Sequence, residues 1–182
     1  HGHTLVLFTS YDQMGHVYEQ LEGKLPVPLF KAPRGGQWFV EQFKRCDNAV
    51  LLAGGPCWEG VDFPGDIVSL LVIVRLPFPV PDPVREARRQ QYPDLHSYIQ
   101  AEIVPEMQQK LRQGFGRAIR TEADSCAVVI LDPRAAPGGR YHQAVLDALP
   151  DGIPVTTKIE DIEPFLRAHK SPDYFLPNSN HN

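Results

Sequence analysis

A mostly parallel α/β sheet with helices on both faces is the fold class this sequence predicts. Short continuous apolar runs recur along the chain, the pattern of strands buried on both faces. Segments with helical spacing lie between them, and strands that alternate with helices call for crossovers and a parallel sheet. The composition, 42% hydrophobic and 22% charged, supplies enough apolar side chains for a real core.

Each element has its own justification. Thr4–Thr9 (TLVLFT) reads as the first buried strand. Ser10-Tyr11-Asp12 offers capping chemistry ahead of a short helix at Met14–Leu21. Val27–Phe30 reads as a second short strand. Gln37–Cys46 has helical spacing, with Phe39 and Phe43 at i, i+4. Ala49–Ala53, Leu70–Arg75 and Cys126–Asp132 read as further strands. Helical material fills Val84–Tyr92 and Leu95–Ile119. Val155–Thr157 suggests a final strand before an acidic helix at Ile159–Arg167. One domain over residues 1–170 and an irregular tail over 171–182 account for the 182 residues.

Charge and cysteine usage narrow the class. A formal net charge of −4 excludes a basic nucleic-acid coat protein, so any basic surface is local. The three cysteines are odd in number and widely spaced, matching neither a disulfide framework nor a metal site, and a reducing cytosol is the simplest context. No membrane-length apolar run is expected to anchor the chain.

Ligands of such sheets bind at the carboxyl ends of strands, in the loops that follow. The loop over residues 54–66 holds four glycines, two prolines and three carboxylates. Glycines there permit close backbone approach, and a carboxylate can meet ribose hydroxyls or orient an arginine. A purely structural loop has the same composition. The strand at Leu70–Arg75 runs into Leu76-Pro77-Phe78-Pro79-Val80-Pro81-Asp82-Pro83, whose alternating prolines make an extended, rigid connector. Phe78 and Val80 in it call for burial. Arg85, Arg88 and Arg89 beyond it fit a solvated helix face or a phosphate track.

Gln113-Gly114-Phe115-Gly116-Arg117-Ala118-Ile119-Arg120 carries the most chemistry. On a helix, Gln113, Arg117 and Arg120 at i, i+4 and i+7 share a face. Ile103, Met107, Leu111, Gly114 and Ala118 form the opposite apolar stripe. Gly114 and Gly116 each cost about 1 kcal/mol relative to alanine in a helix, which suggests a surface that a polyanion approaches closely. A solvated amphipathic helix shares this spacing. The chain also has no Gly-x-x-x-x-Gly-Lys-Ser/Thr phosphate loop and no strand ending in an Asp-Glu pair for Mg²⁺. Arginines suited to a transferring phosphoryl group, without a phosphate cradle, imply a partner domain.

The ordered motifs Leu5–Tyr11 (LVLFTSY), Trp58–Asp66 (WEGVDFPGD), Leu76–Pro79 (LPFP) and Gln113–Arg120 resemble the second motor domain of the DinG/XPD family of superfamily 2 helicases. The resemblance implies a RecA-like fold and one half of an ATP-driven motor moving 5′→3′ on single-stranded DNA. It assigns Arg117, Arg120 and Gln113 to catalysis at an ATP, with its Mg²⁺, held mainly by an N-terminal motor domain of the same polypeptide. Glu59, Gly60, Asp62 and Gly116 fall in nucleotide-binding motifs, with Asp62 orienting an arginine or touching the ribose. Ser10, Tyr11 and Trp58 fall where single-stranded DNA passes, although Trp58 also suits a buried anchor. No iron–sulfur cluster is expected in this chain, and a bacterial cytosol or nucleoid is the expected location. Where the family has a hydroxyl residue and an aromatic before Trp-Glu-Gly, this chain has Pro56-Cys57, and a proline offers a phosphate neither hydroxyl nor N–H. A non-catalytic nucleic-acid or protein-interaction module on the same fold, and a small nucleotide-utilising enzyme, are the competing readings.

Overall fold

A computed structural model describes residues 2–32, 37–58, 60–61, 63, 67–119 and 124–175. Five strands make one parallel sheet: β1 (Gly2–Phe8), β2 (Leu29–Lys31), β3 (Asn48–Gly54), β4 (Val68–Ile73) and β5 (Ala127–Ile130), in the order β2-β3-β1-β4-β5. β1 lies at the centre, pairing with β3 from Gly2↔Asn48 to Phe8↔Gly54 and with β4 up to Leu7↔Ile73. All the strands run parallel, so the loops after β1, β3, β4 and β5 gather on one edge, and the order switches sides at the central β1.

The two faces are covered unequally. Leu5, Leu7, Leu51, Ala53, Leu71 and Ile73 point to a face that holds most of the core. Upon it lie α2 (Gln37–Arg45), through Val40 and Phe43, and α5 (Val104–Ala118), through Met107, Leu111 and Phe115. Burying a side chain such as Phe43 or Leu111 contributes about 1.5–3 kcal/mol. The other face packs Phe8 and Leu52 against Met14 of α1 (Tyr11–Leu21). Leu70 and Val72 of β4 alternate onto that second face and are only half-buried. The apolar runs therefore do not mark strands buried equally on both sides, because α1 covers less of the sheet than α2 and α5 do.

Several sequence expectations are corrected. Val155–Thr157 is not a strand but exposed chain. Thr156 Oγ1 donates to the Asp161 carboxylate at 2.6 Å and accepts from Lys158 N at 3.1 Å, so it is held in a local turn instead of pairing with a strand. The helix over Leu95–Ile119 is three pieces: α4 (Leu95–Tyr98), a π-helical turn (Ile99–Ile103) and α5. Pro105 cannot donate to the carbonyl four residues back, and the wider π turn stands where that bond would fall. α3 spans Pro83–Arg89 under an Asp82 cap, whose carboxylate accepts from Arg85 N at 2.9 Å. α6 (His142–Leu146) and α7 (Ile162–His169) complete the helices used below. No helix among the described residues is long and apolar enough to cross a membrane.

Candidate nucleotide and nucleic-acid site

The loop after β3 is bolted to α5 by one large side chain. Trp58 is 1% exposed, and its indole N–H donates to the Phe8 carbonyl at the end of β1 at 3.0 Å. The ring lies so close to α5 that a Cβ on Gly114 would stand 2.9 Å from Trp58 Cζ3. This corrects two expectations at once. Trp58 is an anchor and not a stacking platform, since its ring has no face left for a base. Gly114 thins the helix for an indole and not for a polyanion.

Of the arginine face, the described helix carries Gln113 and Arg117; α5 ends at Ala118, and Ile119 is extended (φ −129°, ψ 112°). Arg120, Glu59 and Asp62 lie outside the described residues. Arg117 is half-buried and donates from Nε to Gln113 O at 3.2 Å and from Nη1 to Val61 O at 3.0 Å. A guanidinium carries five N–H donors, so these two bonds leave others for an anion while fixing the plane. Gln113 is half-buried four residues earlier on the same face. A Cβ on Gly116 would meet nothing within 4 Å, so an anion can approach that turn of backbone. Gly60 is exposed in the loop beside Val61.

Ser10 and Tyr11 follow β1 on the same edge. Ser10 is exposed and caps α1, its hydroxyl accepting from Gln13 N at 3.3 Å. Tyr11 is half-buried over the end of β3. Gly55 there has φ +51°, and a Cβ on it would overlap the Tyr11 hydroxyl, so glycine serves both the turn and the ring's seat. Cys57, in the same loop, is buried, which pushes its thiol up to about 11 and leaves it unreactive at neutral pH.

The arginines of α3 are occupied by carboxylates. Arg85 forms a bidentate pair with Glu106 at 2.6 and 2.7 Å, Arg89 meets Glu86 at 3.1 Å, and Arg88 faces Glu102 at 3.6 Å. They tie α3 to itself and to the residues leading into α5, and the carboxylate beside each offsets the charge a phosphate would meet. In the proline connector, Phe78 packs on Tyr141 at 4.7 Å as expected, whereas Val80 is 77% exposed and corrects the expectation of burial.

Sequence reasoning passed over one group at this edge. Leu131 N bonds Ile73 O at 2.9 Å, so Asp132 emerges beside the end of β4. Its buried carboxylate accepts from Leu76 N at 3.0 Å and from Arg134 N, Nε and Nη2 at 3.0, 2.9 and 2.6 Å. The Arg134 bonds, then the two backbone N–H groups, hold it down to about 2 against the opposing effect of burial. Arg134 is thereby laid over Phe78, 4.9 Å from the ring centre. An acidic residue directly after a strand, with an arginine two residues on, was the available sign.

The sheet order, with the arginine-bearing helix locked to the loop after β3, makes this an α/β domain of RecA-like fold. Two solved XPD helicase structures share the fold, each with a TM-score of 0.63 over 81% of this chain, at 23% and 22% identity, covering 27% and 31% of those chains. The family model described as "Helicase C-terminal domain" matches residues 1–152. The chain belongs to that family and is a C-terminal helicase domain of the DinG/XPD type. It is 36% identical over 154 residues to the 3′-5′ exonuclease DinG of Bacillus subtilis (strain 168), covering 80% of this chain and 16% of that protein. It is also 36% identical over 157 residues to the ATP-dependent DNA helicase DinG of Photobacterium profundum, covering 81% of this chain and 22% of that one. The chain thus spans less than a quarter of the length of these relatives.

Proposed function

We propose that this chain is the second motor domain of an ATP-dependent DNA helicase that works 5′→3′ on single-stranded DNA. Arg117 and Arg120 reach a triphosphate held, with its Mg²⁺, mainly by an N-terminal motor domain of the same polypeptide. Gln113 and Gly116 border that nucleotide, with Glu59, Gly60 and Asp62 on the loop beside it. Ser10 and Tyr11 contribute to the single-strand track. On this reading the chain alone does not hydrolyse ATP, because its sequence has no phosphate loop and no Asp-Glu pair for Mg²⁺.

The tie between Arg117 and Val61 O carries the reading. It joins the arginine helix to the loop after β3, and Trp58 joins that loop to the end of β1, beside Ser10 and Tyr11. A shift of Arg117 toward an anion therefore pulls on the loop and on the strand end together. That chain of contacts is what coupling nucleotide hydrolysis to DNA movement requires. Arg117 is already oriented, so little ordering is left when a phosphoryl group develops charge nearby.

The test is Arg117→Ala in the polypeptide that carries this chain. An arginine donor of this kind is worth on the order of 10³ or more in rate. DNA-stimulated ATP hydrolysis is expected to fall by that order while ATP binding stays near wild type. Unchanged turnover would remove the arginine from the reaction.

A further inference from the structure

We propose that the groove at the carboxyl ends of β1, β4 and β5 holds a backbone phosphate of single-stranded DNA, with Arg75 as its charged ligand and Thr9 and Gln13 beside it. As a stretch of DNA track this rests on the helicase reading above. The groove has a volume of about 390 Å³ and is lined by Thr9, Gln13, Arg75, Phe78, the Pro79–Pro81 run and Arg134.

Register brings the polar groups together. Leu7 pairs with Ile73, and Val74 N bonds Leu7 O at 3.2 Å. Two residues beyond that pair on each chain, Thr9 and Arg75 follow the ends of β1 and β4 and line the same groove. Gln13, in the first turn of α1, closes the same end. Thr9 and Arg75 are exposed, and Arg75 makes no ion pair or hydrogen bond among the described residues.

The charges around it favour an anion. None of the groove's lining residues is acidic. Asp132, two residues beyond β5, is fully buried and consumed by Leu76 N and Arg134, so it does not compete for Arg75. The Arg85, Arg88 and Arg89 cluster is paired with glutamates, whereas Arg75 has no carboxylate partner among the described residues.

The shape favours a polymer over a small ion. One wall is the extended Pro79-Val80-Pro81 run, with Val80 77% exposed, and beside it Arg134 lies flat on Phe78. A cation next to rigid apolar surface suits a phosphate with a sugar and base attached. The groove also begins at Thr9, directly before Ser10 and Tyr11, so one strand can run past all three without a turn.

The experiment measures binding of a fluorescein-labelled oligo(dT) to the polypeptide that carries this chain, across a salt series. A single-strand phosphate contact contributes about 0.7 to the slope of log affinity on log salt, which is roughly fivefold at 0.1 M salt relative to 1 M. Arg75→Ala is expected to lose that fivefold and to flatten the slope by about 0.7. Arg75→Lys is expected to keep the slope and recover part of the affinity. Arg89→Ala removes the same charge at a paired site on α3 and is expected to bind as wild type. Wild-type affinity and slope in Arg75→Ala, or an equal loss in Arg89→Ala, overturns the groove while leaving the helicase reading intact. No binding by the wild-type protein overturns both.

Discussion

Replacing Gly114 with alanine places a methyl group 2.9 Å from Cζ3 and 3.0 Å from Cε3 of Trp58, and 3.6 Å from Cδ1 of Leu7. Trp58 has nowhere to retreat, because it is 1% exposed and its indole N–H is held by Phe8 O. Overpacking of this kind costs about 1–3 kcal/mol. Alanine's helix preference returns up to about 1 kcal/mol. The net effect is a destabilisation of about 1 kcal/mol, which lowers Tm by about 2–4 °C in a domain of this size. Gly116 supplies the internal control. It sits in the same helix, and an added Cβ meets nothing within 4 Å. Gly116→Ala therefore keeps the helix preference without the clash and raises Tm by a similar amount. Thermal and urea melts of the two variants, run side by side, read the difference in sign. A Gly114→Ala variant stabilised as much as Gly116→Ala would show that the indole does not press on α5, and the bolt between the β3 loop and the arginine helix would go with it.

Two further perturbations test the edge of the sheet. Asp132 has its folded pKa near 2, below the ordinary value near 3.9. Its carboxylate therefore stabilises the fold above about pH 4, and that contribution is lost as pH falls from about 4 to about 2. Asp132→Asn is expected to cost about 1–3 kcal/mol at neutral pH by weakening the bonds to Leu76 N and Arg134, and its acid-unfolding limb should lack this component. An asparagine variant with wild-type stability and the same acid limb would discredit the node. Trp38 is 63% exposed and Trp58 is buried, so the two indoles separate by quenching. In Trp38→Phe, the remaining emission should resist iodide and stay unchanged when single-stranded DNA is added. Quenching close to that of free tryptophan would return Trp58 to the list of stacking side chains.

Much of the architecture was legible without coordinates. The buried strands at Ala49–Ala53 and Leu70–Arg75 lie within about two residues of β3 and β4, because continuous apolar runs report burial in the sheet wherever they occur. The stripe of Met107, Leu111, Gly114 and Ala118 is buried as its spacing requires. What failed was information that local pattern does not hold. Val155–Thr157 has strand-like residues, but Thr156 is drawn into a local hydrogen bond with Asp161.

The sequence by itself determined the family of the domain, the places of its main strands and the buried stripe of its longest helix. All of these are properties of residue type and spacing along the chain. Only the tertiary structure decided what Gly114 and Trp58 are for, since the indole and the glycine are far apart in sequence and meet across α5. It also decided which cations are paired, since nothing in the local sequence joins Arg85 to Glu106, 21 residues further on. Partners of that kind are chosen by the parallel register and by helix packing, which no local stretch of sequence encodes.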